Sequence, residues 1–217
     1  MAVLFSEEVA QLRGAEAAGF DLSEAQAAKL LNQGIDRLAA RSEWIKVEAE
    51  YGPTVAEQER YEIPANTVRV LSVQIGESPY VPVSVKDLWE LKAGRKEAPA
   101  EGGVFAERFS EDGATKTLGF YPVPEEAEEA IEALAAITPA KDLSGEDPLP
   151  FPDQNCRGAR DFAIALAYEQ LDENIEQARF YEERGEAEAE RLRRLANSRV
   201  GSGPLKIPVA GRKRWRR

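Results

Sequence analysis

The side chains that most often catalyse reactions or bind metals are scarce in this sequence. Its 217 residues include no histidine and a single cysteine, Cys156. Histidine is the usual general base and neutral metal ligand, and the Ser/His and Cys/His nucleophile pairs both need it. One cysteine forms neither an internal disulfide nor a thiolate metal cage, which fits a reducing compartment. We expect Cys156 to pack in a helix, and the protein to be no enzyme and to use no cofactor and no metal.

Carboxylates are abundant, but their arrangement does not favour acid–base or metal chemistry. Adjacent acids on polar segments are typical of solvated surface, and examples are Glu7 with Glu8, Glu125 with Glu126, and Glu128 with Glu129. The stretch 142–147, DLSGED, has acids near a glycine but lacks the alternating ligands and closing glutamate of an EF-hand. Gly102 and Gly103 are followed by neither Lys-Ser/Thr nor a helix, so no phosphate-binding loop is predicted.

Charge is distributed unevenly along the chain. Seven of the 28 basic residues lie at or after Arg199, where there is no acid, so this end carries +7. The residues before it carry 21 basic against 39 acidic side chains, or −18, which gives the net charge of −11. This balance argues against a globally basic nucleic-acid-binding protein. The protein is expected to be soluble, because its first residues, MAVLFSEEVAQLRG, suit neither a signal peptide nor a membrane span.

The basic end reads as an extended C-terminal arm over residues 198–217. It has three glycines, two prolines and no helical period. Four residues have a predicted docking role. Leu205, Ile207 and Val209 alternate as in a strand, and Trp215 would anchor the arm by stacking or cation–π contacts. The cations with a predicted electrostatic role surround that tryptophan: Arg212, Lys213, Arg214, Arg216 and Arg217. A solubilising tail and a nuclear-localisation signal are the alternatives, and we favour a docking arm.

Helical periodicity marks both ends of the chain. Residues 3–43 are predicted helical, and Ser23 with Gln26 forms a capping-box signature at the start of a helix ending near Ala40. Residues 154–173, with Asp153 as a possible cap, and 175–197 are the other predicted helices. Their predicted inward faces comprise Ala159, Phe162, Ala163, Leu166, Ala167 and Leu171 in the first, and Ala178, Tyr181, Gly185, Ala189, Leu192 and Leu195 in the second.

The middle of the chain is predicted to be β-rich. Residues 44–51 alternate with a period of two, and short strand-like runs follow at 60–63, 67–75, 79–85, 104–109 and 115–121. A short helix is predicted at 84–91, with Val85, Leu88 and Trp89 at helical spacing. Residues 127–137 are ambiguous, because their alanines and glutamates favour helix whereas the flanking prolines and the alternation of Ile131, Ala133, Ala135 and Ile137 favour strand.

Together these elements predict an α+β fold made of an α-helical bundle with an inserted β-rich lobe. The N- and C-terminal helices, residues 1–43 and 154–197, would form the helical unit. The inserted lobe with its connection would occupy 44–153, and the extended basic C-terminal arm 198–217.

The order of several short motifs is similar to one known family. Tyr61-Glu-Ile-Pro64 is followed by Val68-Arg-Val70, then by a proline-rich strand leading to the Leu88-Trp89 helix, and by Leu118-Gly-Phe-Tyr-Pro122 with Pro124. Over about residues 20–195 this arrangement resembles the head-to-tail connector adaptor proteins of tailed bacteriophages, which dock as a ring on the portal. The resemblance implies that residues 129–137 form a strand, although the aromatic residues usual there are missing.

The resemblance also implies a function. The protein would be a structural virion protein, a head-to-tail adaptor forming a ring of twelve copies under the portal protein. It would join the capsid vertex to a tail or stopper protein, with DNA touched only in passage through an acidic channel and with no membrane partner. It would be made in the host bacterial cytoplasm and reside in the virion at the head–tail interface. The alternative is a nucleic-acid-handling factor whose basic C-terminal tail binds DNA.

Overall fold

The structure is a computed structural model. It describes residues 3–16, 20–97, 99, 101–109, 115–125, 127–172 and 174–198. Within them lie the α-helices α1 (Phe5–Gln11), α2 (Glu24–Ser42), α3 (Val85–Lys92), α4 (Arg157–Ala167) and α5 (Ile175–Ser198). The π-helical turns Leu12–Glu16 and Tyr168–Asp172 continue α1 and α4.

The starts of the helices follow local sequence chemistry. At α2 the predicted capping box is confirmed, because the Gln26 amide donates to Ser23 Oγ and the Ser23 amide donates to Gln26 Oε1. Ser84 caps α3 in a similar way by accepting from the Asp87 amide. The expected cap at Asp153 is wrong. A 3-10 turn, Asp153–Asn155, precedes α4, and Cys156 occupies its N-cap position without a side-chain cap bond.

Seven strands in the described residues form one sheet. They are β1 (Lys46–Pro53), β2 (Arg60–Ile63), β3 (Thr67–Ile75), β4 (Ser78–Pro82), β5 (Gly103–Phe109), β6 (Lys116–Tyr121) and β7 (Ala130–Ile137), in the order β1-β7-β3-β4-β5-β6-β2. All neighbours are antiparallel except β4 and β5, which are parallel. The edge strands β1 and β2 contact each other, so the sheet is nearly closed, like a barrel.

The expected α-helical bundle with an inserted β-rich lobe is wrong. The fold is α+β, but a nearly closed seven-stranded sheet organises it. The helices α2, α4 and α5 contact one another, but their hydrophobic core continues into the sheet. Ile45, next to β1, belongs to the helical core, and Ile137 of β7 packs against both the helical and the barrel cores. These helices therefore join the sheet through this shared core and do not form a separate bundle. The division into 1–43 with 154–197, 44–153 and 198–217 stays a prediction.

The ambiguous stretch is a strand, as the resemblance implied. β7 pairs with β1 on one side and β3 on the other, so its backbone is hydrogen-bonded along both edges. Ile131, Ala133 and Ala135 alternate into the barrel interior. Pairing on both sides outweighs the helix propensity of alanine and glutamate.

Candidate docking surfaces

The arm residues predicted to carry docking lie outside the described residues. These are Leu205, Ile207, Val209 and Trp215, with the cations Arg212, Lys213, Arg214, Arg216 and Arg217. Their docking and electrostatic roles therefore stay predictions. The described residues offer instead a cleft in the sheet and two exposed apolar patches.

The acidic loop 142–147 stabilises local structure. Loop 142–147 lies against the start of α1, where its Asp147 and Gly145 carbonyls accept from the Phe5 and Ser6 amides. These bonds satisfy donors that a helix N-terminus leaves free. Within the loop, the Ser144 amide donates to Asp147 Oδ2. The arrangement ties the loop to α1.

Glu8 of α1 and Cys156 at the start of α4 are buried titratable groups. Glu8 Oε2 lies 3.5 Å from Arg160 Nη1. Burial raises the pKa of Glu8, while Arg160 opposes the rise and Glu7 adds to it. Cys156 is 1% exposed, and burial raises its pKa to about 12, which leaves the thiol protonated and unreactive. In the described ranges, no three of the Cys, Asp and Glu side chains group so as to hold a metal ion.

A cleft of about 410 Å³ opens where β4 leaves β3. β4 pairs with β3 only at Val73–Ile75 and then pairs in parallel with β5 from Tyr80 to Pro82. The walls are Arg69 and Val70 of β3, Phe105 and Glu107 of β5, and residues 82–85, from the end of β4 to the start of α3. The cleft is therefore a splayed part of the sheet, and polar and apolar side chains both line it.

Side chains bridge the splayed strands in place of a strand ladder. The Val70 amide donates to Glu107 Oε1 at 2.5 Å, and Lys116 Nζ donates to the Val68 carbonyl at 2.7 Å. Glu107 also pairs with Lys116, and both side chains are at least four-fifths buried. The pair connects β3 to the β5–β6 hairpin, so these buried contacts hold the cleft open.

An exposed patch lies on α3 and the outer face of β5. Leu88 and Leu91 of α3 pack against the sheet, whereas Trp89 is 62% exposed. The Arg108 guanidinium lies 5.4 Å from the Trp89 ring centroid, and its buried Nε and Nη2 atoms have no hydrogen-bond partner within the described part of the chain. An exposed tryptophan that packs on an arginine is typical of a protein-binding hot spot.

A second patch lies where the turn after α4 meets α5. Leu171, Ile175 and Phe180 are each more than half exposed. The patch is backed by a fixed aromatic set, since the Tyr168 and Tyr181 rings stack at 5.7 Å and Phe180 meets Tyr181 edge-on at 5.2 Å. The expected burial of Leu171 is wrong, because Leu171 lies in a π-helical turn, which rotates it away from the core face of α4.

The C-terminal end of α5 lies beside the cleft. Glu43 Oε1 accepts from Arg193 Nη2 of α5 at 3.0 Å and from Arg69 Nη1 of the cleft wall at 3.5 Å. Arg193, five residues before the end of α5, is therefore linked through Glu43 to the Arg69 wall of the cleft. Arg69 lies 26 residues and Arg193 lies 150 residues after Glu43 in the sequence, so no local pattern predicts this link.

The sequence indicated α3 but not which of its residues would be exposed. Val85, Leu88 and Trp89 share helical spacing, yet only Leu88 among them is buried. A usable signal is the spacing of Leu88 and Leu91, which defines one inward face and places Trp89 about 100° away from Leu88.

Comparison with known proteins identifies the family. Over the described residues, none of the helices combines the length and the apolar character needed to cross a bilayer. No curated protein matches the sequence. A family model described as SU10 adaptor protein matches residues 5–208, which is nearly the whole chain. The chain therefore belongs to the SU10 adaptor protein family, as its resemblance to bacteriophage head-to-tail adaptors predicted.

Proposed function

We propose that this protein is a structural component of a tailed-bacteriophage virion, a head-to-tail adaptor. Twelve copies form a ring beneath the portal protein at the capsid vertex and present a platform to a tail or stopper protein. The protein is made in the host bacterial cytoplasm and ends at the head–tail interface. The family match over residues 5–208 carries this proposal.

The exposed apolar patches support a role in assembly. Trp89, Ile175 and Phe180 are each more than half exposed, and Trp89 and Phe180 lie beside charged or aromatic neighbours. Exposed apolar patches of this kind are typical of interaction sites and uncommon on soluble monomers. Two separate patches suit a subunit that contacts more than one partner, as a ring member between portal and tail must. We assign them to contacts with neighbouring copies and with the portal or tail proteins.

The acidic body supports DNA passage without tight binding. With −18 before Arg199, a channel lined by this body offers DNA phosphates few attractive contacts, whereas a basic lining would hold them at low salt. The same charge makes neighbouring copies repel each other. Ring contacts must therefore be largely apolar, or must use the basic arm.

The C-terminal arm, residues 198–217, docks on a neighbouring copy or on the portal protein. Leu205, Ile207 and Val209 add an extended segment to a neighbouring copy or to the portal, and Trp215 anchors its end. The five cations around Trp215 support that contact electrostatically. Ordering this arm costs conformational entropy, so its partner must supply the free energy.

A co-sedimentation experiment tests the proposal against its alternative. The full-length protein is mixed with purified portal protein, and separately with double-stranded DNA, at low and at physiological salt. A portal adaptor should sediment with the portal at both salt concentrations and bind DNA weakly. Failure to bind the portal, with DNA binding that falls steeply as salt rises, would support the nucleic-acid-handling factor and refute the adaptor.

A further inference from the structure

The two exposed apolar patches lie over different parts of the core. The Trp89 patch consists of Val85 and Trp89, one turn apart on α3, with Arg108 of β5 beside the tryptophan ring. It lies over the small cluster that α3 forms with the sheet, whereas the second patch lies over the core of the helices. That second patch, the Phe180 patch, groups three exposed apolar residues of the turn after α4 and of α5: Leu171, Ile175 and Phe180.

Basic side chains outnumber acidic ones around the Trp89 patch. Residues 85–96, which form α3 and the turn after it, contain four basic and two acidic side chains, and Arg108 adds a fifth cation. Lys86 and Arg95 are exposed at this surface. The patch is therefore rimmed by net positive charge, although the chain before Arg199 carries −18.

The surroundings of the Phe180 patch have the opposite charge. Residues 168–184 contain six acidic and two basic side chains. One of these bases, Arg184, is already paired with the buried Asp161, since its Nη2 lies 3.1 Å from Asp161 Oδ1. Asp172 and Glu176 are exposed. The rim of the Phe180 patch is therefore acidic.

Charge favours contact between unlike patches. Two Trp89 patches facing each other would bring cations together, and two Phe180 patches would bring carboxylates together. A Trp89 patch facing a Phe180 patch places opposite charges around an apolar centre. Such a contact between two different surfaces is heterologous, and its repetition around a rotation axis produces a closed ring.

Both patches present side chains that their own neighbours hold in place. The Trp89 ring lies 5.4 Å from the Arg108 guanidinium, and Phe180 meets Tyr181 edge-on. Tyr181 in turn stacks on Tyr168. Side chains that are already held lose little conformational entropy on binding, and hot spots of one protein tend to pack against those of its partner.

We propose that the Trp89 patch of one copy of this chain packs against the Phe180 patch of the next copy. The inference rests on the proposed adaptor ring and identifies the two surfaces that join its neighbouring copies. The apolar centre and the opposite charges at the rim would offset the repulsion between chains that each carry a net charge of −11.

Cross-linking between two different full-length variants tests the contact. Val85→Cys chains and Ile175→Cys chains are prepared separately, mixed in equal amounts with portal protein, treated with a short bis-maleimide and digested. The native Cys156 is buried and protonated, so it does not react. Because no chain carries both new cysteines, an 85–175 cross-link forms only between copies. We expect it as the main product of the mixture and in neither variant alone.

The matched control is Val55→Cys in place of Val85→Cys, because Val55 is also an exposed valine but lies between β1 and β2. It should give no specific cross-link to position 175. Lys86→Cys with Glu176→Cys is a second pair in case Val85→Cys disturbs the start of α3. Main products that join like positions, that join either patch to portal, or the absence of a product from both pairs would overturn the inference.

Charge reversal tests the electrostatic part of the contact. Lys86→Glu with Arg95→Glu should weaken association between copies about tenfold at low salt, because carboxylates then face carboxylates. Asp172→Lys with Glu176→Lys should do the same with cations. A chain that carries all four changes should regain most of the association, and failure to regain it would contradict contact between the two rims.

Portal binding separates this inference from the proposed function. If the unmodified protein binds portal but the variants give neither cross-link nor rescue, the patches do not join copies and the adaptor function stands. Loss of portal binding by the unmodified protein would refute the function itself.

Discussion

At the scale of single residues, a few buried charges hold the sheet in its splayed form. Glu107 and Lys116 connect β5 and β6 to the backbone of β3, and most of each side chain is shielded from water. A charge in such a position is stabilising only while its partners are present, because an unpaired charge pays its full desolvation penalty. The sequence showed both residues within strands but gave no sign of the pairing.

We predict that the Glu107–Lys116 pair contributes more to stability than exposed pairs on α5. Glu107→Ala should lower the free energy of unfolding by about 3 kcal/mol, because Lys116 and the Val70 amide both lose a partner. Glu107→Gln should lower it less, since an amide oxygen can still accept from Val70. Urea unfolding of single and double variants with Lys116→Met measures the coupling.

The matched control for this cycle is Glu190 with Arg194, an exposed i,i+4 pair at 2.6 Å. Its coupling should lie below about 1 kcal/mol. Equal coupling energies for the two pairs would contradict the bridging role of Glu107.

A second residue-scale prediction concerns Glu8 and pH. Because the folded-state pKa of Glu8 lies above its unfolded value of 4.5, the folded protein binds this proton more tightly. Its stabilising effect is complete below the unfolded pKa and is lost as pH rises through the folded pKa. Glu8→Gln removes this dependence, so the stability of the variant relative to the native protein should increase from about pH 4 to pH 7.

Urea unfolding at both pH values measures this effect. Glu62→Gln, an exposed position on β2, serves as the control and should show a smaller change. A Glu8→Gln variant that loses relative stability as pH rises would show that the pairing with Arg160 outweighs burial.

At the scale of elements, the sequence predicted the features that neighbouring residues determine and missed those that depend on packing. The capping box of α2 and the strands at 60–63 and 67–75 are confirmed because neighbouring residues determine them. The pattern of exposure on α3 was not predicted, because helical spacing alone does not say which side meets the sheet. The strand at β7 required the resemblance, since its alanines and glutamates favour helix whereas its alternation favours strand.

The contact between α2 and α4 gives an element-scale prediction. A Cβ added at Gly34 would lie 2.1 Å from the Ala159 carbonyl oxygen, a backbone atom that cannot move without shifting α4. Gly34→Ala should therefore lower the free energy of unfolding by about 2–3 kcal/mol despite the better helix propensity of alanine. Gly14→Ala is the control, because a Cβ there meets nothing within 4 Å. Equal stability of both variants would contradict the close approach of the two helices.

At the scale of the whole molecule, long-range pairing determines the fold. β1 pairs with β7, 77 to 90 residues later, and β2 pairs with β6, 53 to 59 residues later. Alternation in a strand shows which side chains share a face but not which strand lies beside it. The sequence therefore predicted the strands individually, whereas the nearly closed sheet, its cleft and the position of the α5 end beside that cleft depend on the tertiary structure.

Deletion of the arm separates folding from assembly. Removing residues 200–217 should leave thermal unfolding nearly unchanged, because three glycines and two prolines make this segment costly to order without a partner. Affinity for the portal should fall at least about tenfold, since apolar and charged contacts are lost together. A full-length variant with Arg212, Lys213, Arg214, Arg216 and Arg217 replaced by Ser should keep a weaker interaction. Equal portal binding by the truncated protein would contradict the docking role of the arm.

The mass of the purified protein, alone and bound to portal, tests the adaptor ring most directly. Native mass measurement of the complex counts the copies of the 23.9 kDa chain attached to each portal assembly. The account predicts twelve copies bound as one closed set, with no stable complex of intermediate number. A protein that remains monomeric in the presence of portal, or that binds it in variable numbers, would contradict the account.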